Sequence, residues 1–452
     1  MDPFAFIVII FSQETGYWNV DSIQMPTSAT FYEIAIGKGR NDDTFRLYSA
    51  HLGILLEYTY FDSIWRVDTC ATDVYLSCIG FGDLRNDGIQ RIYGAGGYWI
   101  YEFTYTNGAW QCESIGFIDD PTIDFVYCLA IGSGRNDDTS RIYLGHWNHI
   151  IYELSYRDTC WVLDSIPPPG SMVTDIVIGD GRNDGVNRLY VNAATNSLYE
   201  ISYTPSGWQT VSFGASTEDY NGIALGTGRN DGVNRIYSWN WMPPPSNGYF
   251  LIEFTGPFWT SQIIGTGIGG FGGKLYLGRA KNDTLFRVYG MTNDNVYEFE
   301  YIGGWHRSHL DSGRIFNMAI VIGKGRNDDV NRIYVGNGNG YIYEYTWIPT
   351  GIEESIGQIG KKIIGLEVFP NPFINQCIVK FEIQNLRLPT LKIYDVTGRQ
   401  VCDFSRLIVN SKCSMVLWDG RDDSGRRAPA GVYFVDLKAV GNEKIEKVIL
   451  MR

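Results

Sequence analysis

Residues 179–190, GDGRNDGVNRLY, belong to a stretch that occurs seven times in the chain with small changes. The other copies are centred on the pairs Asn41-Asp42, Asn86-Asp87, Asn136-Asp137, Asn230-Asp231, Asn282-Asp283 and Asn327-Asp328. Successive copies are 45, 50, 47, 47, 52 and 45 residues apart. A period of this length is typical of proteins built from repeated structural units, so the repeat is the first clue to the fold.

Each copy carries an Asp, an Arg and a Tyr at fixed spacing. The Arg follows the Asp by four residues, and the Tyr follows the Arg by two. The Asp/Arg pairs are Asp42/Arg46, Asp87/Arg91, Asp137/Arg141, Asp184/Arg188, Asp231/Arg235, Asp283/Arg287 and Asp328/Arg332. The preceding Asn suits a left-handed turn, and the Asp can pair with the Arg through charge-assisted hydrogen bonds. We therefore predict that the motif is structural, locking each loop and joining neighbouring repeats.

Four short segments of strand character make up each repeat. In the fourth copy they are residues 175–179, 188–192 and 197–203, followed by a segment that starts at Trp208. Short strands separated by turn residues indicate a sandwich, barrel or propeller, and four strands per repeat at this period favour the propeller. The sequence thus predicts an all-β chain with a seven-bladed β-propeller of four-stranded blades over residues 17–347.

The seventh repeat lacks its fourth strand, which starts with Trp in the six other repeats. Residues 18–23, WNVDSI, resemble residues 161–166, WVLDSI, which form that strand in the third repeat. We therefore predict that the N-terminal strand supplies the outer strand of the last blade and closes the ring, which also protects the strand edge.

Composition excludes several classes of protein. The 452-residue chain carries a net charge of −13, which argues against a nucleic-acid partner because phosphate binding needs a basic face. No apolar run is long enough for a transmembrane span. Residues 1–16 are interpreted as a truncated signal peptide, with an apolar strand as the alternative. The 8 Cys are too sparse for a disulfide scaffold and are expected to be mostly buried thiols, although one or two disulfides would suit an exported protein.

The motif loops resemble those of FG-GAP (integrin-type) propellers, whose Asp-rich run binds calcium. The third ligand position is Arg in six copies and Lys281 in the other, and the last position is Arg in all seven. Calcium needs six to eight oxygen ligands, so these cations exclude it and the resemblance extends to architecture only. We expect no metal and no cofactor. No nucleophile motif or metal-binding His pattern occurs, so we assign no catalytic residue.

A different, non-repeating segment follows a linker at residues 348–363. Residues 364–452 read as short antiparallel strands of a small Ig-like β-sandwich. Within them LEVFPNPF (366–373), IYDVTGRQV (393–401), PAGVYFVDLKA (429–439) and KVILMR (447–452) resemble the C-terminal sorting domain of bacterial type IX secretion. WDGRDDSGRRAPAGVYF, from Trp418, also resembles the related FlgD-type Ig-like domain. The resemblance implies export, contact with the secretion machinery, and a secreted or outer cell-surface location.

The leading functional interpretation is a non-catalytic binding protein whose propeller recognises a glycan or a surface protein. The alternatives are a propeller-based polysaccharide lyase or hydrolase, for which Asp119, Asp120 and Asp124 form the only dense carboxylate group, and a structural surface protein without a small ligand. The motif loops share one face, so the variable loops on the opposite face are expected to bind. Aromatic and His residues on those loops are the predicted site: Tyr98, Trp99, His146, Trp147, His149, Trp239 and Trp241.

Overall fold

The computed structural model describes residues 16–27, 30–119, 125–167, 170, 172–194, 197–214, 222–242, 248–268, 272–312, 317–349, 364–383, 390–405, 415–439 and 442–451. The residues divide into two compact units, Met1–Gly351 and Ile352–Arg452. The predicted signal peptide lies outside the described residues, apart from Gly16. No helix with the length and apolar character of a membrane span occurs in the ranges given above.

Within the described residues, the strands of the first unit form seven antiparallel sheets, which are the blades. The first blade contains β2 (Phe31–Gly37), β3 (Arg46–Phe61) and β4 (Ile64–Tyr75). The second contains β5 (Cys78–Gly82), β6 (Arg91–Gly96), β7 (Trp99–Thr106) and β8 (Ala109–Phe117). The third contains β9 (Val126–Gly132), β10 (Arg141–His146), β11 (Ile151–Arg157) and β12 (Cys160–Ile166).

The remaining four blades follow the same order along the chain. The fourth blade contains β13 (Val173–Gly179), β14 (Arg188–Ala193), β15 (Ser197–Thr204) and β16 (Gly207–Gly214), and the fifth contains β17 (Ile223–Gly226), β18 (Arg235–Met242), β19 (Gly248–Thr255) and β20 (Thr260–Ile268). The sixth contains β21 (Gly272–Gly278), β22 (Arg287–Thr292), β23 (Asn295–Tyr301) and β24 (Trp305–Ser312). The seventh contains β25 (Asn317–Gly323), β26 (Arg332–Asn337) and β27 (Tyr341–Pro349), with β1 (Gly16–Gln24) at its outer edge.

The first blade also has four strand segments, although β3 is continuous. The first half of β3 pairs with β2 and the second half pairs with β4. Tyr48 Oη donates to Glu57 Oε2 over 2.8 Å, and Ser49 Oγ lies 3.1 Å from Tyr58 Oη. Residues nine apart on one extended strand would be about 30 Å apart. The two halves of β3 therefore lie side by side, and Gly53, with φ of +100°, provides the reversal between them.

The N-terminal strand closes the ring as predicted. Strand β1 pairs antiparallel with β27 from Gly16↔Pro349 to Gln24↔Tyr341. Because Ile348 and Pro349 still pair with β1, the last blade continues two residues beyond the predicted boundary, and the linker starts later than 348. The first strands of the seven blades are neighbours in the closed order β2, β5, β9, β13, β17, β21, β25 and back to β2. They form the inner ring of the propeller.

Blade-to-blade packing repeats one aromatic contact around the ring. In each blade the Tyr of the motif, which is fully buried, meets the leading Trp of the fourth strand of the next blade. The ring centroids are 5.7–6.4 Å apart in all seven pairs. Trp18 of β1 makes this contact with Tyr289, so it occupies the position of the missing seventh Trp.

The second unit is a two-sheet β-structure with a single core. One sheet contains β28 (Ile364–Phe369), β29 (Cys377–Ile383) and β32 (Met415–Trp418). The other contains β31 (Gln400–Asp403), β30 (Thr390–Asp395), β33 (Gly431–Ala439) and β34 (Asn442–Leu450). Trp418 is 1% exposed and packs between Phe373 and Tyr433, at centroid distances of 5.3 and 5.2 Å. This arrangement agrees with the predicted small Ig-like sandwich.

Candidate functional site

The motif loops are held by a buried ionic network that repeats in every blade. Each motif Arg donates two parallel hydrogen bonds of 2.6–2.8 Å to the motif Asp. A Glu of the third strand, at most 3% exposed, lies beneath the pair: Glu57, Glu102, Glu153, Glu200, Glu253, Glu298 and Glu344. Each of these buried carboxylates forms an ion pair with the Arg or Lys at the third loop position, which compensates its charge.

The same loops also join neighbouring blades at six of the seven junctions. Six hydrogen bonds run from a backbone N–H to the Asn side chain of the preceding blade, including Gln90 N to Asn41 Oδ1 (3.2 Å) and Phe45 N to Asn327 Oδ1 (3.0 Å). The Phe45–Asn327 bond links the first blade to the seventh, where the ring closes. Asn41 and its equivalents have positive φ, which suits the turn. The contacts of the motif loops are therefore structural: they hold each loop in place and link it to a neighbouring blade.

Cations occupy the loop positions where FG-GAP propellers carry calcium ligands. Arg182 Nε donates to Glu200 Oε2 over 2.8 Å. In every blade this third-position cation lies 4.4–6.0 Å from an aromatic ring of the next blade. No group of three or more His, Cys, Asp or Glu side chains suited to a metal ion occurs in the described ranges.

A pocket of about 440 Å³ opens on the axis of the inner ring. All seven blades contribute to its wall, near the start of their first strands, through Glu33, Ser77, Tyr127, Thr174, Gly222, Lys274 and Met318. Because the motif loops follow the ends of these strands, the pocket lies on the opposite face, where the variable loops are. This is the face on which binding was expected.

Three charged side chains from three blades meet beside this pocket, and two of them, Glu33 and Lys274, line it. Lys274 Nζ lies 3.1 Å from Asp175 Oδ1 and 3.8 Å from Glu33 Oε2. Burial raises the pKa of Glu33, and Lys274 only partly offsets that effect. Burial acts to lower the pKa of Lys274, but Asp175 and Glu33 outweigh it and raise the pKa, so the ammonium stays charged.

Four aromatic rings form a continuous row from the pocket outward, which we call the aromatic arc: Tyr32, Phe125, Tyr127 and Trp147. Neighbouring centroids are 5.6, 5.0 and 5.5 Å apart, and Trp147 stacks on Tyr127 at 29°. The backbone N–H of Trp147 donates to Phe125 O over 3.1 Å, which fixes the Trp147 loop against the inner ring. All four rings are partly exposed.

Of the predicted site residues, Trp147 lies beside the pocket, where it stacks on Tyr127. Its neighbours His146 and His149 do not line the pocket. His146 is completely buried, and its Nδ1 accepts a hydrogen bond from Asn148 N over 3.1 Å. His149 is exposed on the same loop. Tyr98 and Trp99 form a separate cluster on Phe117, with centroid distances of 5.8 and 4.8 Å.

The prediction that Trp239 lines an exposed site is wrong. Trp239 is 0% exposed and packs edge-on against Phe299. A Cβ on Gly290 of the next blade would lie 2.4 Å from the Trp239 ring, so the glycine leaves the space that the indole fills. The side chain of Trp241 and residues Asp120 and Asp124 lie outside the described part of the structure, whereas Asp119 is exposed.

Sequence reasoning missed Glu33, Asp175 and Lys274, although a signal was present. Each first strand ends in Gly, as in FYEIAIG, VTDIVIG and GGKLYLG. Counting back from this Gly, the equivalent position holds Glu33, Cys78, Cys128, Asp175, Gly222, Lys274 and Ala319. A position that varies in charge within an otherwise regular repeat marks the ring of residues around the axis.

Comparison with known proteins identifies one part of the chain. Residues 367–451 match the secretion system C-terminal sorting domain. No curated protein matches the chain. Two solved structures resemble it at 14% identity: BBS1N in complex with ARL6DN, soaked with mercury (TM-score 0.48, covering 74% of this chain and 98% of that one) or with lead (0.45, 72% and 95%). The similarity of those structures is too low to carry an argument. The sorting-domain match, together with the two-sheet structure that contains it, makes this a protein secreted to the cell surface through type IX secretion.

Proposed function

We propose that this secreted protein is a non-catalytic glycan-binding protein and that the pocket on the propeller axis is its recognition site. In this proposal residues 17–349 form the recognition module and residues 364–452 direct the protein to the secretion machinery. The observation that carries the proposal is the aromatic arc, four partly exposed rings that lead from the variable face into a pocket of about 440 Å³.

The arc suits a sugar because its rings are flat and rigid. An aromatic face can cover the apolar C–H face of a sugar ring and loses little conformational freedom on binding. The polar groups deeper in the pocket, Glu33 and Lys274, can then fix the orientation of hydroxyl or amino substituents. Pockets of this size, with a few convergent polar groups and an apolar wall, are typical small-ligand sites.

Glycan-array binding by the full chain tests the proposal, with Trp147→Ala as the site variant. We expect the variant to lose roughly tenfold or more in affinity, in line with truncation of an aromatic binding residue. Trp99→Ala is the matched control, because Trp99 is 42% exposed and belongs to the separate Phe117 cluster. Circular dichroism and melting temperatures confirm that both variants are folded. If the full chain binds no glycan, the structural surface-protein alternative is favoured.

A polysaccharide-active enzyme is the second candidate, because Glu33 and Asp175 are unrepeated carboxylates near the axis. Hydrolysis of a glycosidic bond ordinarily uses two available carboxyl groups. Asp175 is already committed, since Oδ1 accepts from Lys274 and Ile176 N, and Oδ2 accepts from Ile223 N. Glu33 alone lines the pocket, which favours binding over hydrolysis. Release of reducing ends or unsaturated products from a bound polysaccharide, abolished in Glu33→Gln, would instead establish the enzyme.

A further inference from the structure

The cluster of three charged side chains beside the pocket carries more negative than positive charge. Two carboxylates, Glu33 and Asp175, surround the single ammonium group of Lys274. Among the described residues that line the pocket, Glu33 and Lys274 are the charged ones, and the rest are polar, aromatic or apolar. With both carboxylates ionised, the group keeps one negative charge that no cation in the group balances.

Glu33 has an oxygen atom with room for another hydrogen bond. Its Oε1 accepts from the backbone N–H of Ile34 over 3.2 Å. Its Oε2 is 3.8 Å from Lys274 Nζ, longer than a hydrogen bond, so that contact is electrostatic. A carboxylate oxygen can accept two hydrogen bonds, and Oε2 is therefore the pocket atom best suited to take a donor from a ligand.

Glu33 lies near the aromatic arc, because it lines the same pocket as Tyr32, Phe125 and Tyr127. An ammonium group beside Glu33 would be near ring faces as well as a carboxylate. Cations are attracted to ring faces within about 6 Å, and the attraction is larger when the site is partly desolvated. An anionic sugar would meet Lys274 only together with its two carboxylate partners, which disfavours uronic acids and sulfated sugars.

We propose that the pocket selects glycans that carry a free amino group, with Glu33 Oε2 accepting a hydrogen bond from the sugar ammonium and the aromatic arc covering the ring. This inference rests on the proposed glycan-binding function and adds the class of sugar. It assigns Glu33 as the residue that determines specificity. Lys274 and Asp175 are positioning residues that hold the carboxylate in place.

Isothermal titration of the full chain with three β-1,4-linked tetrasaccharides tests the proposal: one of glucosamine, one of N-acetylglucosamine and one of glucose. We expect the glucosamine oligomer to bind roughly tenfold or more tightly than the other two, the size of effect for a hydrogen bond to a charged group. The preference should fall as salt is raised, because screening weakens an ion pair that opens to solvent.

Glu33→Gln should remove the preference while the weaker binding of the glucose oligomer persists, and Glu33→Asp should retain part of it. Glu113→Gln is the matched control, since it removes one exposed carboxylate from the fourth strand of a blade. The wild-type comparison does not depend on whether the Glu33 variants fold. Equal affinities for the aminated, acetylated and neutral oligomers would overturn the inference and leave glycan binding intact. Failure to bind any glycan, on the array or here, would overturn both.

Discussion

At the scale of the residue, every blade of this propeller buries a Glu side chain among cations. Glu153 is 0% exposed and is surrounded by Arg135, Arg141 and Tyr143, whose Oη donates to it over 3.0 Å. Removing this carboxylate leaves Arg135 without its closest partner and with only a 3.7 Å ionic contact to Asp164, although Arg141 keeps its pair with the motif Asp. A charge left uncompensated in the interior is costly, so each repeated Glu is a position where one substitution has a large effect.

Glu153→Ala should therefore lower the free energy of unfolding by about 3 to 5 kcal/mol, the range for breaking a buried ion pair. Urea denaturation followed by tryptophan fluorescence measures the change. Glu113→Ala is the control: its side chain is 65% exposed and pairs with Arg85, so a loss of about 0 to 1 kcal/mol is expected. Similar losses for the two variants would show that the buried network contributes little.

Acid should destabilise the propeller between about pH 4 and pH 2. Hydrogen bonds from Arg188 lower the pKa of Asp184 to about 2, and Arg91 and Arg235 do the same for Asp87 and Asp231. A carboxylate with a lowered pKa stabilises the fold fully above its unfolded value of 3.8 and stops doing so as pH falls through its folded value. The melting temperature should fall over this interval, and less steeply in Asp184→Asn, whose amide does not titrate. A constant melting temperature from pH 4 to pH 2 would contradict this account.

At the scale of the element, the second strand of each blade contacts the fourth strand of the next blade. The buried motif Tyr of one blade packs on the leading Trp of the following one, and Trp18 provides this contact for the last blade. Trp18 also lies 5.2 Å from the ring of Trp347 on the strand it pairs with. Strand β1 therefore both completes a sheet and fills an interface between two blades.

Deleting residues 1–24 should lower the melting temperature of the full chain by roughly 10 °C or more, because the loss includes nine paired residues and the Trp18 contact. Differential scanning calorimetry measures the shift. Deletion of residues 1–15 is the control, since it leaves β1 in place and should change the propeller transition little. If both truncated chains melt alike, β1 is dispensable for closure.

The closing strand could be predicted from sequence because its residues repeat those of a strand in another blade. The pocket could not be predicted in this way because the residues around it differ from blade to blade. WNVDSI matches WVLDSI in another blade, so its place in the sheet followed from the copy. Glu33, Asp175 and Lys274 come from three blades, and only the closed ring brings them together. Trp239 was misplaced because it was assigned to a variable loop, whereas it lies within β18. The residues at the same distance from the motif Arg in three other blades, Ala50, Ala95 and Met291, are apolar and buried, so the repeat itself carried the signal that Trp239 belongs to the core.

At the scale of the whole molecule, the motif loops of the seven blades carry the same Asp–Arg pair and together form one face of the propeller. Each loop has guanidinium or ammonium groups where an FG-GAP loop has calcium ligands. We therefore expect EDTA to leave the melting temperature within about 1 °C of the untreated value, because cations at a would-be ligand position repel calcium. A fall of several degrees that added calcium reverses would show that the loops bind the metal.

The sorting domain makes a separate prediction about the whole chain. Behind a working signal peptide, in a host with type IX secretion, the full chain should reach the cell surface, and a chain that ends at residue 349 should remain in the periplasm. Fractionation and immunoblotting measure the distribution. Phe373→Ala with Trp418→Ala is a useful further variant, since it disrupts the core of the sorting domain without shortening the chain. Surface delivery of the chain that ends at 349 would contradict a sorting role.

The pairing of Gly16 with Pro349 places the first and last residues of the propeller side by side at the outer edge of one blade. The chain therefore enters and leaves the ring at the same point, and nothing in the strand pairing fixes which blade must hold the ends. A short turn joining residue 349 to residue 16 would complete a hairpin that is already formed. The chain could then be opened between the fourth strand of another blade and the first strand of the blade that follows it. The propeller is in this sense circularly permutable, with its blade order preserved and its termini movable around the ring.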